Sequence, residues 1–310
     1  MGAGRNRRSA TRTGRDGLRR FLLCASYTRE CGVSSNAESR AGYADQRRRV
    51  GICRYQDGAY TERDDTLAIE RPLEIQVAGA QPVVTMRTPG DDLELAAGLM
   101  HGEGVVHVPD EIVYLDHAPD EADVVRLMLK PSARERLDHI ERSTVVTSAC
   151  GVCGKPSFEA PKPHATDDDP SHWMMTPAEL TALPDRLREA QGVFEETGGL
   201  HAAGLFDSDR HLIAVREDVG RHNALDKLIG WALLNGRLPL ADHAVMLSGR
   251  ASYELVQKSV AADVTLIAAI SAPSTYAVDL AATFDATLVG FVRGHRFNVY
   301  TGARRIEGAN

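Results

Sequence analysis

The sequence predicts an α/β protein with a smaller α+β lobe at its N-terminal end, and three observations carry that expectation. Between residues 211 and 284 an apolar strand runs three times into a polar, glycine- or serine-containing turn that opens a helix, the rhythm of a mixed sheet flanked by helices. Upstream, apolar alternation of period two over residues 69–86 gives way to helical spacing over residues 93–100. At 310 residues, 43% of them hydrophobic, the chain can build one large domain or two small ones around an ample core.

The expected organisation is an Arg-rich disordered tail over residues 1–48, a small α+β lobe over 49–143 and a larger lobe over 144–304. Residues 1–49 hold twelve Arg, no Lys and four acids, a local charge of +8 that leaves −15 for the remainder of a chain of net charge −7. A nucleic-acid footprint needs basic residues clustered on the folded body, and this body is acidic, so no nucleic-acid partner is expected. The only apolar run in the tail, Phe21 to Ala25, is too short for a signal-peptide core or a membrane span. A weaker alternative for the tail is an arm for acidic partners. Five cysteines, Cys24, Cys31, Cys53, Cys150 and Cys153, make an odd count without secretory context, which argues for the reducing cytosol.

Taken in order, Ile69 to Val77 and Pro82 to Met86 alternate on either side of Ala78-Gly79-Ala80 and predict a β-hairpin. Thr88-Pro89-Gly90-Asp91-Asp92 opens a helix with Leu93, Ala96, Ala97 and Met100 on one face, its acids suited to the positive end, and Gly102 and Gly104 close it. Strands are expected at Ile112 to Leu115 and Val124 to Leu129, and a short helix at Ser132 to Ile140. Val145 to Thr147 reads as a strand entering a cysteine loop, and Ala160 to His172 as an exposed loop. Thr176-Pro177-Ala178-Glu179 is a capping box with proline at the first helical position, starting a helix to about Gln191. His201 to Phe206 and His211 to Val215 form a second hairpin.

The three strand-turn-helix units follow. A strand ending near Val215 meets Arg216 to Asn223 before a helix with Leu225, Leu228, Ile229, Ala232 and Leu233 on one face. The strand Ala244 to Leu247 meets Ser248-Gly249-Arg250-Ala251-Ser252, and the strand Val264 to Ile270 meets Ser271 to Thr275. A last strand, Thr287 to Val292, ends in Arg293-Gly294-His295-Arg296. In open α/β sheets ligands sit beyond the carboxyl ends of the strands, where helix N-termini present free amide hydrogens. Arg221, Arg250, Arg293 and Arg296 all fall in such turns, which predicts a site for an anionic, phosphorylated ligand. The plainer alternative is that each arginine is solvated or paired with Glu217 or Asp218.

Thr147-Ser148-Ala149-Cys150-Gly151-Val152-Cys153-Gly154-Lys155 holds the only close pair of cysteines. Such a pair can share a disulfide, bind a soft metal, or pass sulfur between nucleophiles. Structural zinc wants a second Cys-X-X-Cys or a spaced His pair, and neither occurs; His201 or His222 as completing ligands lack a diagnostic spacing. A thioredoxin-like motif sits before a helix, which Lys155-Pro156 discourages. Sulfur transfer needs a thiolate on a mobile loop, which Gly151 and Gly154 permit and Lys155 would activate by charge. His201-Ala202-Ala203 lacks the glutamate of zinc deaminases, and the order of the motifs is reversed. His201 alone reads as a structural histidine. Asn223 or Asp218 can cap a helix, which leaves Arg221 and His222 unexplained. No Walker A or Gly-X-Gly-X-X-Gly fingerprint occurs.

Thr147 to Lys155, Glu196 to Ala203, Arg216 to Leu228, Leu247 to Lys258 and Gly290 to Thr301, in this order, resemble the FdhD family of sulfur carrier proteins required for formate dehydrogenase activity, from about Arg49 to Gly302. The resemblance implies a homodimer whose larger lobe has a cytidine-deaminase-like fold. It implies a sulfurtransferase that receives sulfur from a cysteine desulfurase as a cysteine persulfide and passes it to molybdenum bis(guanine dinucleotide), before that cofactor enters the catalytic subunit of formate dehydrogenase. By this mapping Cys150 carries the persulfide, Cys153 assists, and Phe291, Val292, Arg293, Gly294, His295 and Arg296 bind the cofactor together with Arg221, His222 and Arg250 from the Arg-bearing turns. No permanently bound metal and no membrane association are expected. The rival from another class is a non-catalytic chaperone that binds the cofactor or the enzyme, its dithiol a clamp or metal site.

Overall fold

The computed structural model describes residues 45–119, 121–143 and 173–309. The described residues divide into two compact units, residues 49–65 and residues 45–48 with 66–309. The smaller unit comes from a hairpin of β1 (Arg47–Gln56) and β2 (Ala59–Ala68), exposed along most of its length, with Tyr55 against Tyr60 at a ring separation of 5.1 Å. Neither strand was expected, because exposed strands carry little of the apolar alternation that signals burial.

In the larger unit, the first expected hairpin is present as β3 (Arg71–Val77) and β4 (Val83–Arg87), paired antiparallel with Leu73 opposite Thr85. β5 (Ile112–Ala118) and β6 (Glu121–Leu129) extend them into a sheet of order β4-β3-β6-β5, with β3 and β6 parallel. Leu73, Ile75, Val77, Val125 and Leu127 point to one face and bury against α1 (Asp92–Gly102). Ala96, Ala97 and Met100 of α1 are buried as expected; Leu95 completes the face, and Leu93 packs at its margin. The acids of its first turn serve ion pairs: Asp92 accepts from buried Arg87 at 2.9 and 2.8 Å, and Glu94 binds Arg216. α2 (Pro131–Ser143) follows β6.

From Trp173 the chain builds a six-stranded sheet. Thr176 and Glu179 form the expected capping box, with Thr176 N–H donating to Glu179 at 2.8 Å, at the start of α3 (Pro177–Glu189). α4 (Gly192–Thr197) is a short helix whose first amides, Val193 and Phe194, donate to the carboxylate of Glu217 at 3.0 and 2.8 Å. β7 (His201–Phe206) and β8 (Leu212–Asp218) make the second hairpin. Then come α5 (Arg221–Leu234), β9 (Ala244–Leu247), α6 (Tyr253–Ala261), β10 (Leu266–Ala269), α7 (Thr275–Thr283), β11 (Thr287–Arg293) and β12 (Arg296–Thr301). The order is β12-β11-β10-β9-β7-β8, parallel from β9 to β11 and antiparallel elsewhere. One face buries Leu225, Leu228, Leu255, Val256 and Leu280 of α5, α6 and α7; the other buries Met175, Leu180, Leu183 and Leu187 around α3.

Two details differ from expectation. β8 runs on to Asp218, paired with His201, so Arg216 to Asp218 belong to the strand and the turn is only two residues long. Beyond Arg293 the chain reverses at Gly294, φ 54°, into β12, whose alternation of Phe297 and Val299 follows the period of a strand. Helix α1 crosses α5 at Gly98 and Gly230, which brings the two sheets' helices into direct backbone contact.

Candidate functional site

β8, β9, β10 and β11 all point the same way, since β7 opposes both β8 and β9 while β9 to β11 are parallel. Their carboxyl ends therefore share one edge of the sheet with the amino end of β7. Onto that edge come Gly220-Arg221-His222, Ser248 to Ser252, Ile270 to Ser274 and the β11–β12 turn. Backbone bonds stitch these turns to one another: Ser271 N–H donates to Gly249 O at 3.2 Å, Ser274 N–H to Ala251 O at 3.1 Å, and Phe291 N–H to Ser271 O at 3.2 Å. Ala202 N–H donates to Ser248 Oγ at 2.8 Å, tying β7 to the same edge.

Arg221 opens α5, and its Nε is buried with no hydrogen-bond partner among the described residues. A Cβ placed on Gly249 would lie 3.5 Å from His201 Nδ1 and 3.8 Å from Arg221 Cδ, so the glycine backbone, the imidazole and the arginine stem are close neighbours. Burial pushes the His201 pKa down, as do the charge of Arg221 and the proximity of His222, against an opposing pull from Asp218. His201 is thus a neutral ring in a cationic surrounding.

The carboxylates nearest in sequence do not neutralise Arg221. Glu217 is occupied by the amides of α4. Asp218, wholly buried, binds Lys227 Nζ at 2.8 Å, the amide of Thr88 at 3.1 Å and that of Gly220 at 2.8 Å. It also accepts from Asn223 Nδ2 at 3.1 Å, so neither Asp218 nor Asn223 caps α5 through its side chain; the N-cap is Gly220. Among the described residues Arg221, Arg250, Arg293 and Arg296 form no ion pair with a carboxylate. Arg250 is exposed, and Arg293 and Arg296 face each other across the β11–β12 turn, Arg293 Nε donating to Ile270 O at 3.0 Å.

The other expected residues are placed unevenly. Phe291 is 36% exposed with φ 54°, and Gly294 and His295 form the exposed tip of the turn. Val292 is buried in the apolar core under α3, which leaves its backbone as its contribution to the edge. Cys150 and Cys153 lie outside the described residues. His222, the second residue of α5, has Nε2 at 3.1 Å from Glu254 and 3.3 Å from Ser252 Oγ. Sequence reasoning passed over Glu254, whose one signal was its place in the first turn of a helix opening on the same edge.

Together the turns offer cationic side chains, the uncapped N-termini of α5 and α6 and the glycine backbone at Gly249, a donor set for phosphate groups. Among the described residues no group of three or more His, Cys, Asp or Glu side chains is disposed to hold a metal ion, and no helix is long and apolar enough to cross a membrane.

A family model described as the FdhD/NarQ family matches residues 68–307. A sulfur carrier protein FdhD of Streptomyces avermitilis is 49% identical over 274 residues, covering 86% of this chain and 96% of that protein. Proteins of the same description from Mycobacterium tuberculosis and Sulfolobus acidocaldarius are 44% and 39% identical, covering 86% and 84% of this chain and 99% of each of theirs. A crystal structure assigned as a formate dehydrogenase accessory protein from Desulfotalea psychrophila superposes with a TM-score of 0.66 at 24% identity, over 84% of this chain and all of that one, a likeness of fold.

Proposed function

The chain belongs to the FdhD/NarQ family, and from that premise we propose that it is a cytoplasmic sulfur carrier, a sulfurtransferase that serves formate dehydrogenase. The thiolate of Cys150 attacks the terminal sulfur of a persulfide on a cysteine desulfurase. The donor's sulfur–sulfur bond breaks, the donor cysteine leaves as a thiolate, and Cys150 holds the sulfane sulfur as its own persulfide. Cys153, three residues on, assists. The substrate that accepts the sulfur is molybdenum bis(guanine dinucleotide), before it enters the catalytic subunit of formate dehydrogenase. The reading includes a homodimer and a cytidine-deaminase-like larger lobe.

One structural observation supports the acceptor above the rest: the buried Nε of Arg221 beside Gly249, without a hydrogen-bond partner among the described residues, on an edge whose four arginines pair with no carboxylate among those residues. A pyrophosphate suits such donors, because each N–H or guanidinium finds a charged acceptor there. Arg221, His222, Arg250 and the turn from Phe291 to Arg296 hold the dinucleotide in this reading, and the exposed ring of Phe291 offers an apolar surface to a base.

The test is mass spectrometry of the protein after incubation with a cysteine desulfurase and cysteine. A gain of one sulfur localised to Cys150, together with loss of formate dehydrogenase activation in Cys150→Ala, is expected. If Cys150→Ala still activates formate dehydrogenase, the persulfide mechanism is wrong and the protein acts as a chaperone without covalent chemistry.

A further inference from the structure

We infer that Glu254 is a positioning residue that presents His222 to the phosphates of the ligand, an inference that rests on the phosphate reading of the sheet edge given above. It grows from a two-rung ladder between α5 and α6. The upper rung is His222 Nε2 with Glu254 at 3.1 Å and Ser252 Oγ at 3.3 Å. Four residues further along each helix comes the lower rung, where Lys258 Nζ donates to Asp226 at 2.7 and 3.0 Å. That lower pair is buried, and it packs against Gly102 of α1, where a Cβ would come within 2.7 Å of Lys258 Nζ. A buried ion pair at a fixed register holds the two helices so that the upper pair meets at the rim.

With Nε2 committed to the carboxylate and the hydroxyl, Nδ1 is the ring nitrogen that remains for a ligand. A ring that carries a proton on Nδ1 offers a phosphate oxygen an N–H donor beside Arg221. By engaging Nε2, the carboxylate of Glu254 sets the orientation in which that donor meets the ligand.

The experiment is calorimetric titration of the full chain with diguanosine pyrophosphate, in wild type, Glu254→Gln, Glu254→Asp, His222→Gln and the double variant of Glu254→Gln with His222→Gln. Glu254→Gln is expected to bind about tenfold more weakly, the worth of one charge-assisted hydrogen bond, and Glu254→Asp to restore part of the affinity. The double variant is expected to bind no more weakly than His222→Gln alone, because Glu254 acts through the ring. Wild-type affinity in Glu254→Gln, or additive losses in the double variant, overturns the positioning role and leaves the phosphate site standing. Absence of binding by wild type overturns the phosphate reading and this inference with it. Should Glu254→Gln fail to fold, Glu254→Asp takes its place in the cycle: a loss that vanishes in the His222→Gln background supports the inference, and one that persists overturns it.

Discussion

Gly98 and Gly230 touch backbone to backbone: a Cβ on Gly98 would lie 1.8 Å from the carbonyl oxygen of Asp226, and one on Gly230 1.8 Å from that of Glu94. No rotamer relieves a clash between a Cβ and a carbonyl, so the helices must separate to admit a methyl group. Gly98→Ala and Gly230→Ala are each expected to destabilise the fold by about 1–3 kcal/mol or more, read as a lowered thermal midpoint in scanning calorimetry. The double variant should lose less than the sum, because both methyl groups open the same contact. A wild-type midpoint in either single variant would contradict the close crossing.

Lys227 and Asp218 are both wholly buried, and each is tied through Thr88 to the segment between β4 and α1, the Thr88 carbonyl accepting from Lys227 at 2.8 Å. Removing one partner leaves the other charged and buried. Lys227→Met is expected to cost about 3–5 kcal/mol in denaturant unfolding. Adding Asp218→Asn to it should recover part of that loss, whereas independent effects would simply add.

Stability should fall as the pH drops below about 6.5, the ordinary histidine value. Burial is the first cause holding His101, His201 and His243 below that value in the folded state. The unfolded chain therefore binds protons more readily, so the stability present above pH 6.5 is lost as the pH falls toward the folded pKa. His101 is the most enclosed, its ring nitrogens 2.9 Å from Val106 O and 3.2 Å from Ala261 O. In His101→Gln the slope of unfolding free energy against pH between about 5 and 7 should diminish; an unchanged slope would exclude His101 as a contributor.

Arg221→Ala should weaken binding of diguanosine pyrophosphate by about tenfold to a hundredfold, the range for a hydrogen bond to a charged group. The same variant should raise the pKa of His201, since the guanidinium is among the causes that lower it. Nuclear magnetic resonance titration of the imidazole reads that shift independently of any ligand. A fixed His201 pKa would mean that the two side chains do not lie together at Gly249.

The periodic elements were legible in the sequence because their signals are local. The capping box at Thr176 and Glu179, the hairpin of β3 and β4, and the alternation of the inner strands each fall within a few residues of one another. α5 was legible only in part: Leu225, Leu228, Ile229, Ala232 and Leu233 are buried, but so are Asp226 and Lys227, because the helix is enclosed by the sheet, α1 and α6. Hydropathy cannot mark a charge as buried when its partner lies at a distance in sequence, as Lys258 does from Asp226. The same limit hid Glu254 from His222. The three turns that carry the four arginines could be read because each follows a strand, and strands that run in one direction bring their ends together. His201 was read as structural because its neighbour Arg221 lies beyond the other strand of the same hairpin, at the start of α5.

β7 enters the sheet at the edge where its neighbours leave. The rim therefore receives two residues from strand beginnings, His201 of β7 and Arg296 of β12, among residues that come from strand ends, turns or helix starts. Arg221, by contrast, begins a helix whose third turn is pressed against α1 at Gly230. The guanidinium thus takes its address from α1, a helix that contributes none of the arginines at the rim, and the spacing of His201 and Arg221 is set between a strand anchored in one sheet and a helix braced on the helix that covers the other.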